Sequence, residues 1–182
     1  ITQIIVVFSR SVCKTGKPAI YLYPQTLTEI NITLSKTILI QTNIPKYHNG
    51  WTVLAHPNGK IVDLQPSFTD CKKLEHNKLG FEYTQKACEN NNYPYIFWDG
   101  IQMVKPIPKI QNGWVVQKPE ISTFLNEKLD KMGFNSAEKT EFIRYWQYKL
   151  DKEKSNQFFI YFLQNEVVEV YMPMNVNPKP TS

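Results

Sequence analysis

The hydrophobic period of this chain changes at Pro119 from two residues to about 3.6, and changes back near Phe158. Upstream, Ile30, Ile32 and Leu34 alternate with Asn31 and Thr33, the pattern of a strand with one buried face. Ile38 and Ile40 repeat it. Trp51 to Ala55 and Lys60 to Leu64 flank Pro57-Asn58-Gly59, a hairpin signal because Asn and Gly tolerate positive φ. Further strands are expected at Ile4 to Phe8, Ala19 to Tyr23, Tyr95 to Trp98 (ended by Asp99-Gly100) and Trp114 to Val116. Downstream, Ile121, Phe124, Leu125, Leu129 and Met132 form one helical stripe between Pro119 and Gly133. A second helix starts at Asn135, with Glu138 placed to complete a capping box. Its core face is Phe142, Ile143, Tyr145, Trp146 and Leu150, and the short Gly133-Phe134 link makes the two helices antiparallel. Phe158 to Leu163 and Val167 to Met174 are expected to return to strand, and residues 177–182 to form an exposed tail or linker.

Blocks of strand and helix in this order predict an α+β fold. An antiparallel β-sheet or sandwich occupies the strand-rich residues 1–116, with a helix pair at about 120–150 and C-terminal strands beyond. At 182 residues, 42% of them hydrophobic, the chain is read as a single domain, 1–182.

The charge is +5, which raises nucleic acid or an anionic surface as a partner. Of the 21 basic residues, however, only Arg10 and Arg144 carry the planar fork that clamps phosphates, and the lysines are scattered. A solvated lysine surface is expected, and no nucleic acid. No apolar run reaches the roughly 20 residues of a membrane-spanning helix. His48, His56 and His76 share no helix face, and Cys13, Cys71 and Cys88 match no zinc spacing, so neither a metal nor another cofactor is expected.

The catalytic search is equally thin. Asp63 and Asp99 end neighbouring strand regions and could face each other as the carboxylate pair of an unrecognised hydrolase; turn chemistry is the simpler role for both. Cys71 and His76 are close in sequence, but nothing nearby lowers the thiol pKa. The reading therefore leans away from an enzyme. Tyr47, Trp51, Tyr93, Tyr95, Phe97, Trp98 and Trp114 crowd the strand region. If Trp51, Tyr95 and Trp98 lay on an open face they could stack on sugar rings or clamp a peptide; core packing is the alternative.

Lys17-Pro18-Ala19-Ile20-Tyr21-Leu22-Tyr23-Pro24 resembles the opening motif of a family of uncharacterised microbial proteins, many of them similar to secreted or lipid-anchored envelope proteins. The resemblance continues through Gly50-Trp51, Pro57-Asn58-Gly59, Asp63-Leu64, residues 95–100, Phe124-Leu125, residues 142–146 and Pro178-Lys179-Pro180. It implies an extracellular or cell-surface location and no assigned activity. Against that pattern, residues 67–92 form an insertion containing Cys71 and Cys88. The two are either separate buried thiols or a disulfide closing the inserted loop, worth about 3 kcal/mol by chain entropy and requiring an oxidising compartment. The disulfide is the expectation carried forward. Cys13 is left over, free or paired between chains, and Asn31-Ile32-Thr33 is a glycosylation acceptor if the source is eukaryotic.

In the family pattern the proline tail leads into a closing apolar strand. Here Ile4, Ile5, Val6, Val7 and Phe8 at the N-terminus look like that strand. A permuted gene, one unit of a tandem array, or a strand that completes a neighbour's sheet would each account for it; the plain alternative is pairing within its own domain. The functional expectation is a non-enzymatic structural or interaction domain, partnered by copies of itself or other envelope proteins.

Overall fold

The computed structural model describes residues 6–7, 14–16, 19–67, 88–102, 112–163 and 165–180; for 6–7, 14–16 and 102 only the backbone is considered. The fold is α+β with antiparallel sheets. The described residues divide into two compact units, residues 112–161 forming the second and the remainder the first.

The first unit contains two sheets. In one, β8 (Ile96–Gln102) is central. Phe97 pairs with Ile44 of β5 (Ile38–Ile44) on one side and with Ala19 of β3 (Ala19–Ile20) on the other. Farther along, β2 (Lys14–Gly16) takes the β3 side, and β1 (Val6–Val7) pairs with β2. The ladder of β5 on β8 shifts register between Ile40 and Thr42. A bulge in such a strand spoils it as a template for further pairing. The other sheet runs in the order β11 (Met174–Asn177), β4 (Thr28–Leu34), β6 (Trp51–Ala55), β7 (Ile61–Asp63). Its buried side chains follow the alternation: Ile30, Ile32 and Leu34 on β4, Trp51, Val53 and Ala55 on β6. Thr28, Asn31 and Thr52 are only half-buried, and Thr52 donates to Asn31 Oδ1 at 2.8 Å. Asn31, the glycosylation candidate, therefore lies mid-sheet, between Thr52 and Asn177 in register.

The β6–β7 hairpin forms as its turn residues predict. His56 and Lys60 close it, Asn58 Oδ1 accepts the Lys60 amide at 3.1 Å, and Gly59 takes φ 86°. A Cβ there would lie 2.5 Å from the Tyr23 ring, so both conformation and space call for glycine.

The second unit pairs β9 (Trp114–Gln117) with β10 (Gln157–Ile160), and joins them to α1 (Ile121–Lys131) and α2 (Ser136–Asp151). Ile121, Leu125 and Leu129 bury the stripe of α1, whereas Met132 is exposed just beyond its end. Gly133 turns the chain at φ 83°. The Asn135 side chain accepts from the amides of Ala137 and Glu138, both at 3.0 Å, and Glu138 Oε2 accepts the Asn135 amide at 2.9 Å. Asn135→Ala should therefore destabilise this unit by about 1 kcal/mol, with Asn135→Ser restoring most of it, as read by urea unfolding followed through helical ellipticity.

Two expectations change. Val167 to Met174 was expected as strand, but residues 165–171 form α3 (Asn165–Tyr171) and only β11 beyond is extended. Val168 and Met172 are both buried four residues apart, and that spacing outweighs the β preference of valine and tyrosine. Likewise Asp99-Gly100 does not end the Tyr95 strand; β8 runs through it to Gln102. None of the described helices is long and apolar enough to cross a membrane.

Candidate functional site

Trp51 opens β6 opposite Ile32 of β4. Its indole N–H donates to the Pro45 carbonyl at 2.8 Å, and the Tyr47 ring meets it edge-on at 4.6 Å between centroids. The Tyr47 hydroxyl accepts the Leu34 amide at 3.1 Å. Trp51 is 1% exposed, and Tyr95 and Trp98 are 0% exposed. The open aromatic face weighed as an alternative for these three residues is thus corrected: their rings are core, and no sugar or peptide can stack on them. For Trp98 the cause lies in β8, where Ile96, Phe97 and Trp98 are consecutively buried. A strand covered on both faces hides every ring it carries. Tyr95 packs at 5.2 Å on Tyr21, while the Trp98 indole N–H meets no acceptor among the described residues. Tyr93 and Phe97 are buried too, so that among the seven aromatics of the sequence reading only Trp114, in the second unit, is strongly exposed.

Asp63 lies at the end of β7 and is 2% exposed. Its Oδ1 accepts the Gln65 amide at 3.0 Å. Its backbone N–H donates to Asn91 Oδ1 at 2.9 Å, and its carbonyl accepts from Asn91 Nδ2 at 2.7 Å. Asn91 holds φ 49° to do this, and the next register pair, Ile61 with Tyr93, exchanges two backbone bonds of 2.8 Å. Burial pushes the Asp63 carboxyl above its ordinary value, against the Gln65 amide and the His48 charge, which pull it down. Burial and the Asp63 charge push the Tyr93 hydroxyl up to about 12. Asp99 sits in β8 opposite Thr42, half-buried and engaged. The proposed carboxylate pair fails on Asp63, which is shut off from any substrate.

Cys71 and His76 lie outside the described residues, as do Cys13, Ile4, Ile5 and Phe8. Cys88 is 4% exposed, with the Tyr93 hydroxyl 3.6 Å from its sulfur. Among the described residues, no group of three His, Cys, Asp or Glu side chains could hold a metal ion.

The sequence reading missed an exposed apolar pair in the second unit. Val115 and Phe159 are register partners on β9 and β10, 66% and 47% exposed, while Val116 and Phe158 beside them are buried. Phe159 lies 5.9 Å from Tyr161 and over Gly113, where a Cβ would come within 2.5 Å of its ring. The signal was present: Trp114-Val115-Val116 and residues 158–162 are apolar without alternation, so each strand shows an apolar residue on both faces. Trp114 itself packs on Phe124 at 5.6 Å, with Lys128 Nζ 4.9 Å from its ring centroid.

A scan against protein-family models finds no match, and neither the curated proteins nor the solved structures give one.

Proposed function

We propose that the chain is a non-enzymatic interaction domain of a secreted or cell-surface protein, which assembles with copies of itself by exchange of its N-terminal strand. The observation that carries this reading is the place of that strand: among the described residues β1 ends its sheet and pairs with β2 alone. In the described residues β1 pairs Val6 with Gly16 and Val7 with Thr15. Its partner β2 in turn pairs Lys14 with Ile101 and Thr15 with Gly100 of β8. The surrounding run, Ile4-Ile5-Val6-Val7-Phe8, is apolar throughout, the composition of a strand covered on both faces. An apolar strand at the end of a sheet exchanges between molecules at low cost, since the same bonds form either way. The bulged β5 is poorly suited to accept it, which leaves the β2 position of another copy as the natural acceptor. The exposed Val115–Phe159 pair supports an interaction role independently. The location is supported by the envelope-like motifs and by a disulfide proposed between Cys71 and Cys88. Burial of Cys88 favours that bridge.

Light scattering coupled to size exclusion tests the reading, on the full chain and on a form lacking residues 1–8. Concentration-dependent multiples of 21.3 kDa, absent from the shortened form, are expected. A constant single-chain mass overturns it. Multiples that collapse with reductant alone would transfer the link to Cys13.

A further inference from the structure

The ribbon of β9 and β10 turns one face to the core of the second unit. Trp114 meets Phe124 of α1 on that side, and Val116, Phe158 and Ile160 are buried there. By alternation the opposite face is formed by Gly113, Val115 and Gln117 along β9 and by Gln157, Phe159 and Tyr161 along β10. Val115 is the most exposed large hydrophobic side chain among the described residues, and Phe159 is its register partner. The Phe159 ring is held in place. It lies over Gly113, where a Cβ would come 2.5 Å from its tip, and beside Tyr161 at 5.9 Å between centroids. An exposed ring already so positioned loses little freedom when something covers it. Gln117 Nε2 donates to Gln157 Oε1 at 3.4 Å and closes one end of the patch.

We propose that this face is a homotypic contact, on which a second copy of the chain seats its own Val115 and Phe159. Two features select a second copy. The first is charge. The chain carries +5, yet none of the six residues of the face is charged at neutral pH. Two copies therefore meet there without setting lysine against lysine. The second is shape. In a two-fold contact each patch meets itself reversed. A small side chain, Val115, stands directly beside a large one, Phe159, so the reversed copy sets large against small on both sides. Nor is the ribbon guarded against self-pairing. Neither Trp114–Gln117 nor Gln157–Ile160 contains a lysine, a proline or a register shift, whereas β5 carries a bulge. Size sets the strength. Six residues a side fall well below the roughly 20–30 of a standard stable interface, so the contact is weak and gains from any second link between the same molecules. The inference rests on the reading of the chain as an interaction domain, and not on exchange of β1.

NMR of the full chain across a concentration series tests this. The Val115 methyl and Phe159 ring signals should move together, with a dissociation constant on the order of 0.1–1 mM. Val115→Lys should weaken the self-contact read at Phe159 by about tenfold or more, because two-fold symmetry sets the new charges against each other. Gln117→Lys, one step along the same face, should act in the same sense, and decides the matter should Val115→Lys not fold. Stationary signals up to about 1 mM overturn the inference and leave the face to a different partner. Movement at Phe159 that survives both lysines overturns it too. The same series on the form lacking residues 1–8 separates this contact from strand exchange. Signals that still move there support it; movement lost with residues 1–8 overturns it, because the face then only reports exchange. A single-chain mass for the full chain in dilute solution, with signals that move at high concentration, removes strand exchange and leaves this contact standing.

Discussion

Trp51→Ala is expected to cost the first unit about 3–5 kcal/mol, the largest effect of any single truncation considered. Three losses combine. The ring is 1% exposed, so its removal leaves a cavity where β6 faces the core. The Pro45 carbonyl loses the indole N–H at 2.8 Å and stays buried with its residue. The Tyr47 ring loses its edge contact at 4.6 Å, and with it the support for the hydroxyl that accepts the Leu34 amide. Total stabilities of about 5–15 kcal/mol are usual, so the variant should be partly unfolded at ambient temperature. Trp51→Phe separates the terms, because it fills much of the volume and removes only the hydrogen bond; about 1–3 kcal/mol is expected. Urea unfolding with a probe in each unit is the measurement. A Trp51→Ala cost near that of a surface substitution would mean that the ring does not anchor this core.

What made Trp51 hard to read from sequence is instructive about the rest. Its strand, its hairpin partner and its register were all legible, since Trp51, Val53 and Ala55 alternate and Asn58-Gly59 fixes the turn. The Asn135 capping box was legible for the same reason: every atom involved lies within four residues. The direction in which an aromatic ring faces is a different kind of fact. For Tyr95 and Trp98 it depends on β5, β2 and β3 flanking β8 and on both faces of that sheet being covered, none of which is local. The same limit misassigned residues 167–171, where valine and tyrosine preferences indicated strand but burial of Val168 and Met172 selects a helix. Asp63 shows the limit for chemistry. A carboxylate at a strand end suggests a turn or a catalytic edge, and only the approach of Asn91, 28 residues later, reveals it as a buried fastening.

Gly100→Val is expected to separate β5 from β8, for a reason equally invisible in the sequence. Gly100 lies mid-strand and its φ is not positive, so its need for glycine is spatial. A Cβ built there would come 2.7 Å from the Leu39 carbonyl oxygen, 3.3 Å from Ile38 Cγ2 and 3.4 Å from Ile40 Cα. The nearest of these is backbone, which cannot swing aside as the end of a side chain can. These residues abut the register shift between Ile40 and Thr42. Even Gly100→Ala must push the chains apart, and valine adds two methyl groups, so overpacking of about 1–3 kcal/mol is the minimum expected. Gly133→Ala is the informative control. Gly133 has φ 83° and nothing within 4 Å, so its substitution tests conformation without collision and should cost about 1 kcal/mol. Amide exchange then locates the damage. Gly100→Val should expose the amides shared by β5 and β8 while those of β4 and β6 stay protected. Uniform loss across both sheets would show instead that the two unfold together, and unchanged protection in β5 would remove the collision argument altogether.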